Sequence, residues 1–330
     1  MANTRNILAM IRSRAIGDDE QFFSIALQVA ASEARMGHRR IAEDIRTAVA
    51  EARSTRPQKA SVPVSFAKPR GNLDGLLELR EARFRLQDVI LSEGLKKKID
   101  DLVKQQTRRD WLREHGKTPN KSALLVGPPG SGKTMSAEAI ANRLKLPFFV
   151  IRLESLITKF MGETAAQLRL VFDEVESKRG VYLFDEFDAL GSRRDSNNDV
   201  AEMRRVLNSF LQFMETSNTT DSLVIAATNF PNLLDNALLR RFDLVLKFSY
   251  PSDEQIRQII KDNLRPLKYP RLGWKQIIKD AKDLSQSEIA RAAEDAVKMA
   301  ILDERDTLKT NDITNRLIER KEMKDAFTGV

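Results

Sequence analysis

Hydrophobic and polar residues follow three patterns along the chain. In the first part, apolar side chains recur every three or four residues, as in helices with one buried face. The next stretch contains three prolines and has no regular period, which is typical of a linker. We therefore expect a helical recruitment or assembly unit at residues 1–54 and a linker at residues 55–71. The predicted helices are Asn3–Ala15, Asp19–Met36 and Arg39–Arg53.

From Asn72 a helical pattern resumes as far as His115, and short apolar stretches then alternate with stretches of helical period. Such alternation predicts a parallel sheet with helices on both faces. After Pro251 the pattern is helical to the end. We expect a large α/β subdomain at residues 72–250 and a helical lid subdomain at residues 251–330. The five predicted strands are Ser122–Val126, Leu146–Leu153, Val181–Asp185, Ser222–Asn229 and Leu244–Phe248.

The composition excludes several classes of function. The chain of 330 residues has no cysteine, which excludes disulfides, thiol catalysis and cysteine-based metal sites. It has two histidines and no HExxH sequence, so it carries no zinc protease site of that type. No apolar run reaches the roughly 18 residues that a membrane-spanning helix needs. The absence of cysteine fits a cytosolic protein, and we expect a cytoplasmic location. The net charge of +8 leaves open nucleic acid or an acidic protein surface as a partner.

A glycine-rich sequence, GPPGSGKT, follows the first predicted strand and opens a predicted helix. A phosphate chain needs many N–H donors at short range, and glycines let the backbone wrap it without Cβ clashes. The helix N-terminus adds its dipole. In this pattern the lysine reaches the β- and γ-phosphates, and the threonine hydroxyl holds Mg²⁺. We therefore predict that ATP binds to Gly127, Pro128, Pro129, Gly130, Ser131, Gly132, Lys133 and Thr134.

Two adjacent acidic residues, Asp185 and Glu186, stand at the end of the apolar strand in VYLFDEFD. Asp185 can bind Mg²⁺ together with Thr134, and Glu186 can orient and deprotonate an attacking water. Adjacent acids at a strand end can also serve as a plain helix cap. Because a phosphate loop precedes them in the chain, we predict that they support hydrolysis of ATP rather than binding alone.

These motifs, in this order, resemble the AAA+ ATPases, and specifically their branch of ring-forming unfoldases and remodellers. The resemblance covers about Arg83–Ile301 and implies a P-loop NTPase-type sheet, a helical lid and a hexameric ring. AATN at the end of the fourth strand matches the family's sensor, so Asn229 would position the attacking water. DNALLRRFD resembles the arginine-finger segment, which reaches the γ-phosphate bound by the neighbouring subunit. Arg241 matches the finger position, and Arg240 is the looser match.

Two further segments correspond to nucleotide contacts of the family. Residues Leu284–Ala296 resemble the lid motif, although Gln286 and Ser287 stand where Gly-Ala is usual. This difference puts a contribution from Ser287 in doubt. The second segment lies where the family wraps the adenine. Its predicted base contacts are Asp88, Val89 and Ile90.

The sequence KFMGE places an apolar pair between the second predicted strand and a helix predicted at Glu163–Ser177. The family has a loop there that lines the central pore and grips an extended polypeptide. In a ring of six subunits, the aromatic residue would face the channel; the alternative is that the apolar pair packs into its own domain. Arg193–Asp199 would form a second pore loop. The predicted substrate contacts are Lys159, Phe160, Met161 and Gly162.

The resemblance implies a homo-oligomeric, ATP-hydrolysing remodeller that acts on a protein or peptide client. Residues Asp18–Ala50 also resemble a helical module of bacterial AAA proteins that are often encoded beside subtilisin-like serine peptidases, which implies a separately encoded protease partner. Two alternatives stay open. One is a nucleic-acid-associated loader or regulator, which the basic charge favours. The other is a nucleotide-gated assembly switch with slow turnover.

Overall fold

A computed structural model describes the chain over residues 4–16, 19–54, 73, 75–156, 161–190, 206–214, 220–230, 240–269 and 271–328. Over these residues, helices cover both faces of a mixed sheet, and further helices precede and follow it. No helix in these ranges combines the length and hydropathy needed to cross a bilayer.

Three helices form the N-terminal part, and their bounds lie within about one residue of the predicted ones. The middle helix packs against both of its neighbours. A small apolar core joins them, with Ala26, Leu27 and Val49 buried at its centre. The helices are α1 (Thr4–Ile16), α2 (Asp19–Arg35) and α3 (Arg39–Ser54).

Within the described residues, the sheet has six strands in the order β1-β3-β4-β5-β2-β6. The five strands predicted from the sequence are all present and all parallel. The sixth, β1, pairs antiparallel with β3 at the edge, in a region where the sequence pattern indicated a helix; that part of the prediction was wrong. The strands are β1 (Leu77–Arg80), β2 (Ser122–Val126), β3 (Phe148–Ile151), β4 (Val181–Phe184), β5 (Leu223–Thr228) and β6 (Leu244–Lys247).

Successive residues of the central strands enter two separate cores, because side chains alternate between the faces of a sheet. In β2, Leu124 packs on one face, and Ala123 and Leu125 pack on the other. Continuous apolar strands of this kind are buried on both sides, which is typical of parallel sheets. The first face is covered by α7 (Leu153–Leu156), α8 (Met161–Ser177) and the helical segment 206–214. The second is covered by α4 (Glu93–Thr107) and α6 (Lys133–Leu144).

The C-terminal helices have their own apolar core, separate from those of the sheet. The serines that precede the first and third of these helices, Ser252 and Ser285, each form a reciprocal capping box with the residue three positions later. Ile90, from the segment before α4, packs against this core and so links the two parts of the molecule. The helices are α9 (Asp253–Asn263), α10 (Trp274–Ala281), α11 (Gln286–Leu302) and α12 (Thr310–Thr328).

Candidate nucleotide-binding site

The glycine-rich loop connects the carboxyl end of β2 to the first turn of α6. Gly130 and Gly132 have φ angles of +70° and +93°, a region that residues with a Cβ rarely adopt. A Cβ at Gly127 would lie 2.6 Å from the Phe248 carbonyl oxygen, so this glycine is also required by a close backbone approach. The loop therefore has the strand–turn–helix setting and the open backbone that phosphate binding needs.

Lys133 is the first residue of α6, and its ammonium group is held in the loop by neutral oxygens. It donates hydrogen bonds of 2.9 Å to the carbonyl oxygens of Gly127 and Pro128. A third bond, of 2.8 Å, goes to Oδ1 of Asn229. Burial lowers the pKa of Lys133, and the nearby carboxylates of Asp185 and Asp188 oppose that shift. An anionic phosphate would supply a direct negative partner for this buried cation.

Ser131, at the centre of the loop, has a side chain that is only 2% exposed. Its Oγ is buried without a hydrogen-bond partner among the described residues. Buried hydroxyl groups are normally paired, since leaving one unpaired costs about 1–3 kcal/mol. A phosphate oxygen at the loop would satisfy it, and the residues present therefore fit the polyphosphate chain that the sequence predicts.

Thr134 and Asp185 form an oxygen pair beside the loop: the Thr134 hydroxyl donates a hydrogen bond of 2.7 Å to Oδ2 of Asp185. The described residues contain no cluster of three or more His, Cys, Asp or Glu side chains that could bind a metal unaided. Mg²⁺ seldom needs such a cluster, because it is usually held by one or two protein oxygens together with waters and substrate phosphates. The pair is thus suited to Mg²⁺ bound with a nucleotide.

Glu186 follows Asp185 on the turn after β4 and is exposed. Its φ angle of +50° is uncommon for a residue with a long side chain, and its N–H donates to Oδ1 of Asp185 at 3.0 Å. Backbone conformations of this kind occur often at active sites. The side chain of Asp188 is buried and accepts a bond of 3.0 Å from the N–H of Asn229, which ties the ends of β4 and β5 together.

The segment predicted to wrap the adenine lies between the loop and the lid. Val89 is buried, with Cγ1 at 3.9 Å from where a Cβ of Gly132 would stand. The carbonyl of Ile90 accepts a 3.0 Å bond from Nε2 of Gln286. Asp88 differs: its carboxylate closes its own short 3₁₀ turn by accepting bonds from Arg85. Val89 and Ile90 are thus near the predicted site, and the Asp88 carboxylate is engaged elsewhere.

The start of α11 contacts the loop directly, through Ser287, whose contribution the sequence put in doubt. The Ser287 N–H donates a 3.1 Å bond to the carbonyl of Gly130, and the hydroxyls of Ser285 and Ser287 occupy the space where a Cβ of Gly130 would stand. The pattern S-x-x-E that caps this helix was readable from the sequence, but its position beside the loop was not. Ser285 and Ser287 thus lie close to the loop, although Gly-Ala is usual in the family at the positions of Gln286 and Ser287.

Arg240 and Arg241 are exposed and lie at the other end of the sheet. They precede β6, which runs parallel to β2, and Asp243 is bonded to Ser122 at the start of β2. The loop leaves the far end of β2, about 13 Å away at a rise of about 3.3 Å per residue. The structure therefore does not bring these arginines together with the loop of their own chain.

Two residues of the predicted pore loop, Lys159 and Phe160, lie outside the described residues. The whole predicted second pore loop, Arg193–Asp199, also lies outside them. Met161 and Gly162 form the first residues of α8, which begins two residues before the predicted start at Glu163.

The comparisons with known proteins agree with this geometry. Residues 123–250 match the family described as "ATPase family associated with various cellular activities (AAA)". An uncharacterized AAA family ATPase of Sinorhizobium fredii, y4kL, is 34% identical over 307 residues, covering 91% of each chain. The proteasome-activating nucleotidase of Methanopyrus kandleri is 33% identical over 68% of this chain and 54% of its own length. The ATP-dependent zinc metalloprotease FtsH of Lancefieldella parvula is 32% identical over 69% of this chain and 36% of its own.

Among solved structures, the AAA domain of FIGL-1 superposes with a TM-score of 0.61 and 24% identity, over 81% of this chain and 97% of that one. This likeness shows the fold. The relative from S. fredii shows the family, because it is similar along nearly the full length of both chains. The chain belongs to the AAA family of ATPases.

Proposed function

We propose that this chain is an ATP-hydrolysing, ring-forming AAA remodeller that acts on a protein or peptide client. One observation carries the proposal. Lys133, Asn229 and the Thr134–Asp185 pair meet beside the phosphate loop, whereas Arg240 and Arg241 lie at the opposite end of the sheet. A site of this kind is complete only when a second copy of the chain supplies the arginines.

The residues at the loop have distinct roles in this proposal. The loop N–H groups and Lys133 bind the phosphates of ATP, and Asn229 orients the attacking water. Glu186 is adjacent to Asp185 and exposed at the strand end, so it can accept the proton of that water. Thr134 and Asp185 would hold Mg²⁺, which when bound neutralises charge on the phosphates.

Arg240 and Arg241 act on the nucleotide of the neighbouring subunit. An arginine supplied in trans stabilises the charge that develops during phosphoryl transfer and contributes roughly 10³–10⁵ to the rate in other nucleotide hydrolases. We propose a hexamer for this assembly. A lone protomer should then bind ATP and hydrolyse it very slowly.

The client is a polypeptide drawn through the ring by Phe160, with Lys159, Met161 and Gly162 in the same loop. Two relatives carry names that link nucleotide use to proteolysis, the proteasome-activating nucleotidase and the ATP-dependent zinc metalloprotease. This chain has two histidines and no cysteine, so we propose that a protease partner is a separate chain. The cytoplasmic location expected from the sequence stays a prediction.

The test is the steady-state ATPase rate of the purified chain with an unfolded polypeptide, with duplex DNA, and with neither. The variant is Phe160→Ala. The matched control is Trp111→Ala, which removes an aromatic side chain that is 60% exposed. Stimulation by polypeptide that Phe160→Ala abolishes and Trp111→Ala retains is the expected result.

The net charge of +8 favours one second candidate, a nucleic-acid-associated regulator. It predicts stimulation by DNA that survives Phe160→Ala and weakens steeply with salt. A nucleotide-gated assembly switch predicts no stimulation by either polymer. Its full activity should also be retained in Glu186→Gln, in which ATP binds but is not turned over.

A further inference from the structure

A buried group of charged side chains connects the N-terminal helices to the sheet. Its centre is Arg113, which is 1% exposed and belongs to the short helix α5 (Arg109–Glu114). One guanidinium nitrogen of Arg113 donates to the hydroxyl of Ser24 in α2, and another donates to the fully buried carboxylate of Asp221. Asp221 lies just before β5, so a single side chain contacts both the N-terminal part and the ATPase core.

The Asp221 carboxylate also serves other cations. Lys121 Nζ lies 3.3 Å from its Oδ1, and Arg109 Nε lies 3.7 Å from its Oδ2. A second acid, Asp110, has Oδ1 at 3.6 Å from Arg113. Burial is the main cause of the lowered pKa of Lys121, and the Asp221 charge opposes that shift. Arg113, Arg109 and Lys121 thus share the Asp221 carboxylate, so a shift of Arg113 would change the charge balance around the other two.

Lys121 is also bound to the segment that carries Arg240 and Arg241. Its N–H donates a 2.8 Å bond to Oδ2 of Asp243, and the same oxygen accepts bonds from the N–H and hydroxyl of Ser122 at 3.0 and 3.1 Å. The Asp243 N–H returns a 3.0 Å bond to the Ser122 hydroxyl. Asp243 stands two positions after Arg241, and Phe242 between them is buried in the sheet core. The backbone that follows the arginines is therefore fixed to the start of β2, beside the buried charges.

We propose that Arg113 is a positioning residue for Arg240 and Arg241, and that the docking of α2 on it regulates hydrolysis at the neighbouring subunit. This inference rests on the proposed function of the two arginines. While α2 is packed against Arg113, water is excluded from Arg113 and its ion pair with Asp221 stays intact. Asp221 then holds Lys121 in place, and Lys121 in turn holds Asp243. When a partner protein pulls α2 away, water reaches the ion pairs and weakens them, because attraction between charges falls as the local dielectric constant rises.

The experiment uses mixed rings of two full-length variants, a donor that can supply only the arginines and an acceptor that can supply only the hydrolytic site. The donor carries Glu186→Gln and keeps its arginines, so it can only assist its neighbour. The acceptor carries Arg240→Ala with Arg241→Ala and keeps its own hydrolytic residues. Each protomer alone should be nearly inactive, and the mixture should hydrolyse ATP. A mixture without activity would contradict the proposed function of the arginines itself, before the present inference is tested.

Arg113→Met is then placed in the donor or in the acceptor, after its melting temperature and assembly have been compared with those of the parent. In the donor it should lower the kcat of the mixture by about tenfold, a fraction of the roughly 10³–10⁵ that a finger arginine contributes. The KM for ATP should not change, and in the acceptor the effect should be much smaller. Arg113→Lys in the donor should restore part of the rate. The control Arg316→Met, which removes an arginine paired with Glu319 on α12, should leave both mixtures unchanged.

Ser24→Ala provides a milder variant if Arg113→Met does not fold, because it removes only the hydroxyl that α2 contributes. It should also lower kcat when placed in the donor. If the variants lower kcat equally in the donor and in the acceptor, the buried charges only stabilise the fold, and the inference would be overturned. The same holds if the donor variants leave kcat unchanged.

Discussion

Lys133 donates a 2.8 Å hydrogen bond to the side-chain oxygen of Asn229, although 96 positions separate the two residues in the chain. This bond joins the phosphate loop after β2 to the end of β5, the neighbouring strand. A phosphate that binds to Lys133 would compete with the amide for the ammonium protons. Binding of ATP and the position of Asn229, the proposed water-orienting residue, are therefore linked through a single cation.

Lys133→Met should weaken ATP binding by about 10- to 100-fold, because hydrogen bonds to a charged group contribute about 1.5–3 kcal/mol. The methionine keeps the length of the side chain and removes its charge. Titration with a fluorescent ATP analogue measures the effect. Lys97→Met is the matched control, since Lys97 is exposed on α4, and it should bind ATP as the parent does. Equal affinity of the Lys133 variant and the parent would argue that the loop does not bind the polyphosphate.

Glu186→Gln should lower the ATPase rate by about 10²–10⁴, the usual contribution of a general base, while ATP affinity stays the same. The amide has the size of the carboxylate but cannot accept the proton from water. Phosphate release and nucleotide binding should be measured on the same preparation. Asp173→Asn, on the exposed side of α8, serves as the control and should retain full activity. A Glu186→Gln variant with the parental rate would exclude Glu186 as the base.

The elements that could be predicted from the sequence are those whose pattern is local. Strands β2, β3, β4 and β5 are short and mostly apolar, since both of their faces are buried, and β6 at the edge has an apolar run of three residues before Lys247. Strand β1 reads Leu-Glu-Leu-Arg, and this run of four residues with two charges is equally compatible with a helix. Its place at the edge of the sheet, with one side unpaired, permits that composition.

In the candidate site, too, the residues that could be predicted from the sequence are those that belong to local motifs. Lys133, Thr134 and Asp185 belong to motifs whose spacing determines their geometry. The contact of Ser287 with Gly130 depends on how the lid packs on the sheet, and no local pattern specifies that packing. Arg113 and Asp221 are 108 positions apart, and an isolated arginine in a charged helix gives no indication that it will be buried.

Gly130→Ala should reduce both stability and nucleotide binding. The φ angle of +70° is strained for alanine by about 1–2 kcal/mol, and the new methyl group would displace the hydroxyls of Ser285 and Ser287. Thermal unfolding and ATP titration measure the two effects. Gly94→Ala is the control, because Gly94 lies in the first turn of α4 with open space around it. We expect that control to be neutral or stabilising by up to about 1 kcal/mol, so a loss in both variants would contradict the steric argument.

Asp221→Ala should destabilise the protein more than Arg113→Met does. Removing the carboxylate leaves the buried Arg113 and Arg109, and the partly exposed Lys121, without their common partner, and breaking a buried ion pair in this way costs about 3–5 kcal/mol. Removing Arg113 leaves Asp221 with its two other cations, so the loss should be smaller. Urea unfolding of both variants gives the comparison, with Asp173→Ala on the surface expected within about 0.5 kcal/mol of the parent. The reverse order of stability would mean that Asp221 is not the carboxylate on which these cations jointly depend.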